Sequence, residues 1–168
     1  MTIFSESLLA IRPADANDIK GMRTLLNEII RVGGATAITN ELSLDEMREW
    51  FVFGEAVVSC FVAVDSDGTI IGFQSLSTYG SLPAGCVDIA TFASRSCQKS
   101  GVGRALFART RETASTLGFA VVSASIRVDN VGGLAYYSRM GFATYLHEVG
   151  DPQAHGRVFN RVHKRFTL

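Results

Sequence analysis

The chain has no net charge with which to recruit a partner: acidic and basic residues balance at 16 each. No basic run marks a nucleic-acid patch, and no global field draws the chain to an anionic membrane. No uninterrupted apolar stretch approaches the roughly 20 residues that a membrane span requires. The opening segment, Met1-Thr2-Ile3-Phe4-Ser5-Glu6, lacks a basic region followed by a long apolar one, so no secretory signal is expected. Cysteine is sparse. Cys60, Cys86 and Cys97 are odd in number and lack metal-type spacing, which points to packed, reduced thiols and a cytoplasmic setting. His147, His155 and His163 are too far apart for a recognisable metal motif, leaving surface or substrate-side roles and no metal. Repeats, low-complexity tracts and interdomain linkers are also missing. At 168 residues, the expectation is one domain, 1–168, with room for a sizeable core.

The richest stretch is Gln98-Lys99-Ser100-Gly101-Val102-Gly103-Arg104. It follows an apolar, β-prone segment (87–92) and opens into a helical pattern that includes Leu106, Phe107, Ala114 and Leu117. A strand, a glycine-bearing loop and a helix start in that order create an anion site. The first helical turn leaves backbone N–H groups without partners, and the helix dipole adds partial positive charge there. Gly101 and Gly103 lack a Cβ, so a phosphate can approach the main chain closely. The stretch lacks the Gly-Lys-Ser/Thr ending of a Walker loop and the third glycine of a dinucleotide fingerprint. Arg104 and Lys99 could attract phosphates or could be solvated surface charges; the loop's backbone donors matter more.

Along the chain, residues 8–12 read as a first strand stopped by Pro13. Asp15 or Asn17 can cap a helix whose Ile19, Met22, Leu25, Leu26 and Ile29 recur on one face, ended by Gly33 and Gly34. Ser43 and Glu46 form a capping box for a second helix carrying Met47, Trp50 and Phe51. Segments 57–64 and 69–77 flank the turn Asp65-Ser66-Asp67-Gly68 as a hairpin. A helix of about 15 residues after Gly103 should stop at Gly118. Residues 119–127 read as a buried strand, and Asn130 introduces a short helix ending in Tyr137-Ser138-Arg139-Met140-Gly141-Phe142. Strands near 142–148 and 158–166 close the chain.

Two motifs then agree. The first matches Gln/Arg-x-x-Gly-x-Gly/Ala, the second Asn-x-x-Ala/Gly-x-x-x-Tyr-x-x-x-Gly-Phe, and together they resemble the GNAT N-acetyltransferases over nearly the whole chain. Within that superfamily the likeness is to the phosphinothricin acetyltransferase group, through Ala35-Thr36-Ala37, the later Trp50 and the spacing to Asn130. Ser94-Arg95 stands where that group commonly has a Pro, and Phe159-Asn160-Arg161-Val162 matches its substrate-side pattern loosely. The resemblance implies an α/β (α+β) GNAT fold, a mixed central sheet of about seven strands flanked by about four helices. It also implies acetyl-CoA as cosubstrate, a pyrophosphate held by residues 98–104, and two strands that splay so that the pantetheine arm bonds Thr91, Phe92 and Ala93. The implied reaction is acetylation of the primary amine of a small molecule, an amino acid or analogue, by direct attack in a ternary complex. Two alternatives stand beside it: a catalytically silent acyl-CoA-binding module, and an acetyltransferase for protein or peptide amines. Relatives of this group pair as homodimers. Here Val158, Phe159, Val162 and Phe166 among basic residues suit such a contact.

Acetyl transfer to an amine needs a neutral nucleophile and benefits from a proton for the departing thiolate. Asp88 lies five residues before Ala93, where related sequences often place a catalytic Glu; it could accept the ammonium proton directly or through water, or merely begin its strand. Tyr137, seven residues after Asn130, matches the family Tyr that can donate to the thiolate; otherwise it is a core aromatic. Tyr136 should face elsewhere, turned by about 100°. Asn130 could bond the coenzyme, cap its helix, or do both. The acceptor site is expected between the 33–39 loop and segment 147–160, with Glu41 and the histidines available to read charge.

Overall fold

A computed structural model of the protein describes residues 9–80, 82–97, 101–150 and 158–168. The first strand, β1 (Ala10–Pro13), ends at its proline. Helix α1 (Ile19–Val32) buries Ile19, Met22, Leu25, Leu26 and Ile30 at helical spacing. Met22 and Leu26 are fully buried, and each such side chain contributes about 1.5–3 kcal/mol. Ile29, expected on that seam, is half-buried and borders a cavity instead. The expected caps, Asp15 and Asn17, give way to Asp18, which makes no side-chain cap bond. Its carboxylate accepts from Arg12 Nη1 at 2.7 Å, Arg12 Nη2 at 2.8 Å and the Asp15 N–H at 2.8 Å. A bidentate guanidinium satisfies a buried carboxylate better than one helix N–H does. Gly33, at φ +80°, ends the helix.

The Ser43–Glu46 capping box opens α2 (Leu44–Arg48) as expected. The chain then widens into a π-type turn, Glu49–Phe53, which no sequence pattern announced. Buried Ser75 Oγ donates to the Phe51 carbonyl at 3.0 Å and ties that turn to the sheet.

Strands β2 (Val57–Val64) and β3 (Ile70–Ser77) form the expected hairpin. Then follow β4 (Cys86–Ala93), α3 (Val102–Thr116), β5 (Val121–Arg127), α4 (Val131–Arg139), β6 (Ala143–Glu148) and β7 (Arg161–Thr167). The seven strands make one sheet in the order β1-β2-β3-β4-β5-β7-β6. Only β4 and β5 run parallel; the other neighbours are antiparallel. Alternation along each strand divides the core. Val62 and Phe73 pack with α1 on one face, while Phe61 and Ala63 pack with Val102 and Leu106 of α3 on the other. Gly118, at φ +83°, stops α3 where expected, with the Phe119 N–H returning to the Ala114 carbonyl at 3.1 Å.

One expectation about the surface is overturned. Val162 and Phe166 do not face solvent: Val162 is buried, and the Phe166 ring packs on Phe107 and Phe142. The reason is topological, since β7 lies inside the sheet between β5 and β6. Phe159 is half-buried with the Arg127 guanidinium stacked over its ring at 3.7 Å. Val158 is exposed as expected, and in this region it is joined by Tyr145, Leu146 and Val149, on or beside edge strand β6, whose six residues are all exposed. Among the described residues no helix is long and apolar enough to cross a membrane.

Candidate functional site

The two parallel strands part. Backbone partners run Cys86–Val121, Val87–Val122 and Asp88–Ser123, and there the pairing stops. Beyond that point β4 stays bonded to β3 through Ala93, and β5 stays bonded to β7 through Arg127. Between them opens a cavity of about 950 Å³. All six residues from Asp88 to Ala93 border it, although alternate side chains of a strand point to opposite faces. Six consecutive residues share one cavity only when the strand's edge faces it. Thr91, Phe92 and Ala93 therefore lie along an unpaired edge whose polar groups want partners. That edge suits an extended amide-bearing ligand such as a pantetheine arm.

The helix start lies at one end of this opening. Gly101 adopts φ +79° as the N-terminal flank of α3, a conformation that favours glycine. The first helical bond runs from the Ala105 N–H to the Gly101 carbonyl, so the preceding turn presents its N–H groups outward. Gly101, Gly103 and Arg104 line the cavity, and buried Val102 anchors the turn to the core. Gln98, Lys99 and Ser100 lie outside the described residues. Gly103 has a second reason to be glycine: a Cβ there would stand 2.5 Å from the Tyr136 ring. Arg95 and Arg139 also border the cavity; the sequence reading missed both, because Arg95 belongs to no motif and Arg139 fills an unspecified position of the second one.

Tyr136 does not face elsewhere. It lines the same cavity as Tyr137, with the two ring centroids 4.9 Å apart. Its hydroxyl donates to the Gly103 carbonyl at 2.8 Å and accepts from Gln74 Nε2 at 3.1 Å. Gln74 also donates to Thr91 Oγ1 at 2.9 Å, and Thr91 lies 2.9 Å from the Tyr137 hydroxyl. Thr91 already accepts from Gln74, so it can donate to Tyr137 and leave the phenolic proton free for a ligand. Burial pushes the Tyr137 phenol well above its ordinary pKa and raises Tyr136 to about 12. Both stay protonated through the physiological range.

Asp88 stands where the paired and parted portions of β4 meet. Desolvation pushes its carboxyl up to about 7, against the opposing pull of the Arg161 charge and the Ile89 N–H. A carboxylate poised there can exchange a proton at neutral pH. Asn130 caps α4 by accepting from the Gly133 N–H at 2.9 Å, and its amide donates to the Ala35 carbonyl at 3.1 Å. Together with Arg127, which donates to the Thr36 carbonyl at 3.0 Å, it pins the 33–38 loop against the cavity.

A second cavity, of about 550 Å³, adjoins the first. Ile38, Phe51, Asp88 and Ala90 border both. Glu49, Trp50, Ser75, Ser77 and Tyr79 complete the smaller one, and the expected site border is met on one side. The 33–39 loop is there, but none of the described residues 147–150 and 158–160 lines either cavity. His147 is exposed on β6, His163 pairs with Glu148 at 2.6 Å, and Glu41 pairs with Arg31. His155 lies outside the described residues. Among the described residues no group of three or more His, Cys, Asp or Glu could hold a metal ion.

Comparison with known proteins gives a concordant result. The model of the Acetyltransferase (GNAT) family matches residues 23–142. A Bacillus subtilis (strain 168) protein, the candidate phosphinothricin acetyltransferase YwnH, is 24% identical over 139 residues, spanning 82% of this chain and 85% of that one. A GCN5-related N-acetyltransferase from Kribbella flavida superposes with a TM-score of 0.80 at 22% identity, covering 95% of this chain and 98% of the other. A phosphinothricin acetyltransferase of Sinorhizobium meliloti, solved with acetyl-CoA, superposes at 0.79 with 22% identity, covering 95% and 88%. At these identities the structural matches speak for the fold.

Proposed function

The chain belongs to the acetyltransferase (GNAT) family, and from that footing we propose that it moves the acetyl group of acetyl-CoA to the primary amine of a small molecule, an amino acid or an analogue of one. The observation that carries this reading is the unpaired edge from Ile89 to Ala93 facing a 950 Å³ cavity. Acetyl-CoA supplies an activated acyl carbon and a thiolate leaving group; every other function falls to the chain. Thr91, Phe92 and Ala93 hold the pantetheine arm by their edge, and Gln98 through Arg104 hold the pyrophosphate at the start of α3. Asn130 shapes the cavity between them. Asp88 accepts the ammonium proton, directly or through water, so that the amine lone pair can attack. The C–N bond forms as the C–S bond breaks; Tyr137 offers its phenolic proton to the sulfur as negative charge builds there, and the proton shed by the acylated nitrogen restores the phenol. The raised phenol pKa keeps the proton on Tyr137 until charge develops but makes it a weak acid, so a hydrogen bond to the charged sulfur comes before any full transfer.

The reading takes residues 1–168 as one acetyltransferase domain working as a homodimer in the cytoplasm. Exposed Tyr145, Leu146, Val149 and Val158 support the pairing. Cys60 and Cys86, both free thiols, support a reducing compartment; burial pushes the Cys60 thiol up to about 12 and leaves it inert. Two measurements test the activity. Acetyl-CoA should raise the melting temperature in a concentration-dependent way, and a panel of amino acids and amines should show amine-dependent release of free coenzyme thiol. A folded protein that does neither overturns the reading.

A further inference from the structure

We propose that the acceptor is an α-amino acid whose side chain is uncharged and apolar, aromatic by preference, and that this side chain occupies the second cavity. The inference rests on the acetyl-transfer reading and adds to it the class of substrate. Its geometry begins at Asp88, which borders both cavities. An amine delivered to that carboxylate from the coenzyme side has its side group directed into the smaller space. That space is walled by Trp50, Phe51, Ile38, Tyr79 and Ala90. Flat and branched apolar surfaces of this kind gain by covering a ring or a branched chain. Trp50 is 38% exposed and Tyr79 45% exposed, so both rings have surface left to cover. Ser75 offers little polarity, since its hydroxyl is spent on the Phe51 carbonyl, and buried Ser77 adds the one other hydroxyl of a serine in the lining.

Charge narrows the class further. The carboxyl groups lining the second cavity are Glu49 and Asp88, and among the described residues no Arg, Lys or His lines it. An anionic side chain entering it would meet like charge without a counter-ion, an arrangement that rejects a ligand strongly. The cations lie on the other side. Arg161 borders the first cavity and is close enough to act on the Asp88 charge, which offers an α-carboxylate a partner beside the amine. The head group thus meets Arg161 and Asp88, and the tail meets Trp50 and Tyr79. Phosphinothricin, whose side chain ends in an anionic phosphinate, should therefore be a poor acceptor, despite the names carried by similar proteins.

The test is an acceptor panel at saturating acetyl-CoA, read by release of free thiol. L-phenylalanine and L-leucine should be acetylated with a kcat/KM about 100-fold above that of L-glutamate or L-phosphinothricin. Trp50→Ala should lower kcat/KM for phenylalanine about 10-fold with the KM for acetyl-CoA unchanged. Glu49→Gln should narrow the preference over phosphinothricin about fivefold. Both side chains are exposed, and melting curves confirm that each variant folds. Equal or better acetylation of phosphinothricin or glutamate overturns the inference. So does binding of acetyl-CoA without acetylation of either apolar amino acid, or an unchanged phenylalanine kcat/KM in folded Trp50→Ala. Failure of the acetyltransferase reading looks different: acetyl-CoA then leaves the melting temperature unmoved.

Discussion

Burial lifts the Asp88 carboxyl to about 7, and folding feels this with a definite sign. A carboxyl raised above its unfolded value of about 3.9 keeps a proton in the native state that the unfolded chain has released. Below about 4 both states are protonated and nothing is lost; as pH climbs from there toward 7, the fold is progressively destabilised. Catalysis runs the other way, since only the carboxylate accepts a proton. We expect kcat/KM for the amine to rise through an inflection near 7. Asp88→Asn should abolish it, with the largest loss near neutrality and a much smaller one at alkaline pH, where the amine is already neutral. A retained inflection would assign it to another group. Tyr137→Phe should lower kcat by about 10- to 1000-fold, with the acetyl-CoA shift in melting temperature nearly intact; an unchanged kcat removes Tyr137 from the proton path. Tyr137 is legible in the sequence because its register to Asn130, Gly141 and Phe142 is local. The Gln74 bond to Tyr136 spans 62 positions, and no local pattern encodes it.

At the scale of single elements, the start of α3 depends on an aromatic ring borrowed from α4. Tyr136 closes over Gly103 and bonds its carbonyl, so the phosphate-side turn is held from outside its own helix. Gly103→Val puts a branched carbon into that ring. It should destabilise the fold by about 1–3 kcal/mol, the usual cost of overpacking, and abolish the acetyl-CoA shift in melting temperature. A folded Gly103→Val protein with the full shift would refute the assignment of this turn to the pyrophosphate. Element existence was legible because periodicity and caps are local: the Ser43–Glu46 box and the Gly118 stop appear where the residues put them. The start of α1 was misread because Asp18 is claimed by Arg12 from β1, a tertiary competitor that outbids the cap. The π-type turn at Glu49–Phe53 escaped for a related reason. It is tied to the sheet by the Ser75 bond to Phe51, a partner 24 positions away.

For the molecule as a whole, strand β6 is the open question of assembly. An edge strand with all six residues exposed, bearing Tyr145 and Leu146, is a surface that proteins usually pair or cover. We expect a homodimer, and light scattering at micromolar concentration should give twice the mass of the 168-residue chain. A clean monomer mass refutes it. The order of elements was readable from alternating strand and helix patterns, and the architecture came from the family resemblance that the two motifs carry. The parting of β4 from β5 was not, because the residues on either side of it read as two ordinary strands. Nothing in Ile89 or Ala124 announces that they do not pair; the gap exists because each strand finds its bonds on its other side. The second cavity was missed likewise, being assembled from the π-type turn, β3 and β4.

That parting also sets a clock on the backbone. Amide protons along an unpaired edge exchange with solvent quickly, whereas those locked in a ladder exchange only when the structure opens. Without ligand, the edges at residues 89–93 and 124–127 should contain fast amides inside an otherwise slow sheet. A pantetheine arm seated as an extra strand would slow the β4 amides that face the gap, and leave those bonded to β3 as they were. Hydrogen exchange with and without acetyl-CoA should therefore give a protected stripe on one side of one strand. Uniform slowing of the whole sheet would mean that the coenzyme merely stiffens the protein and does not join it.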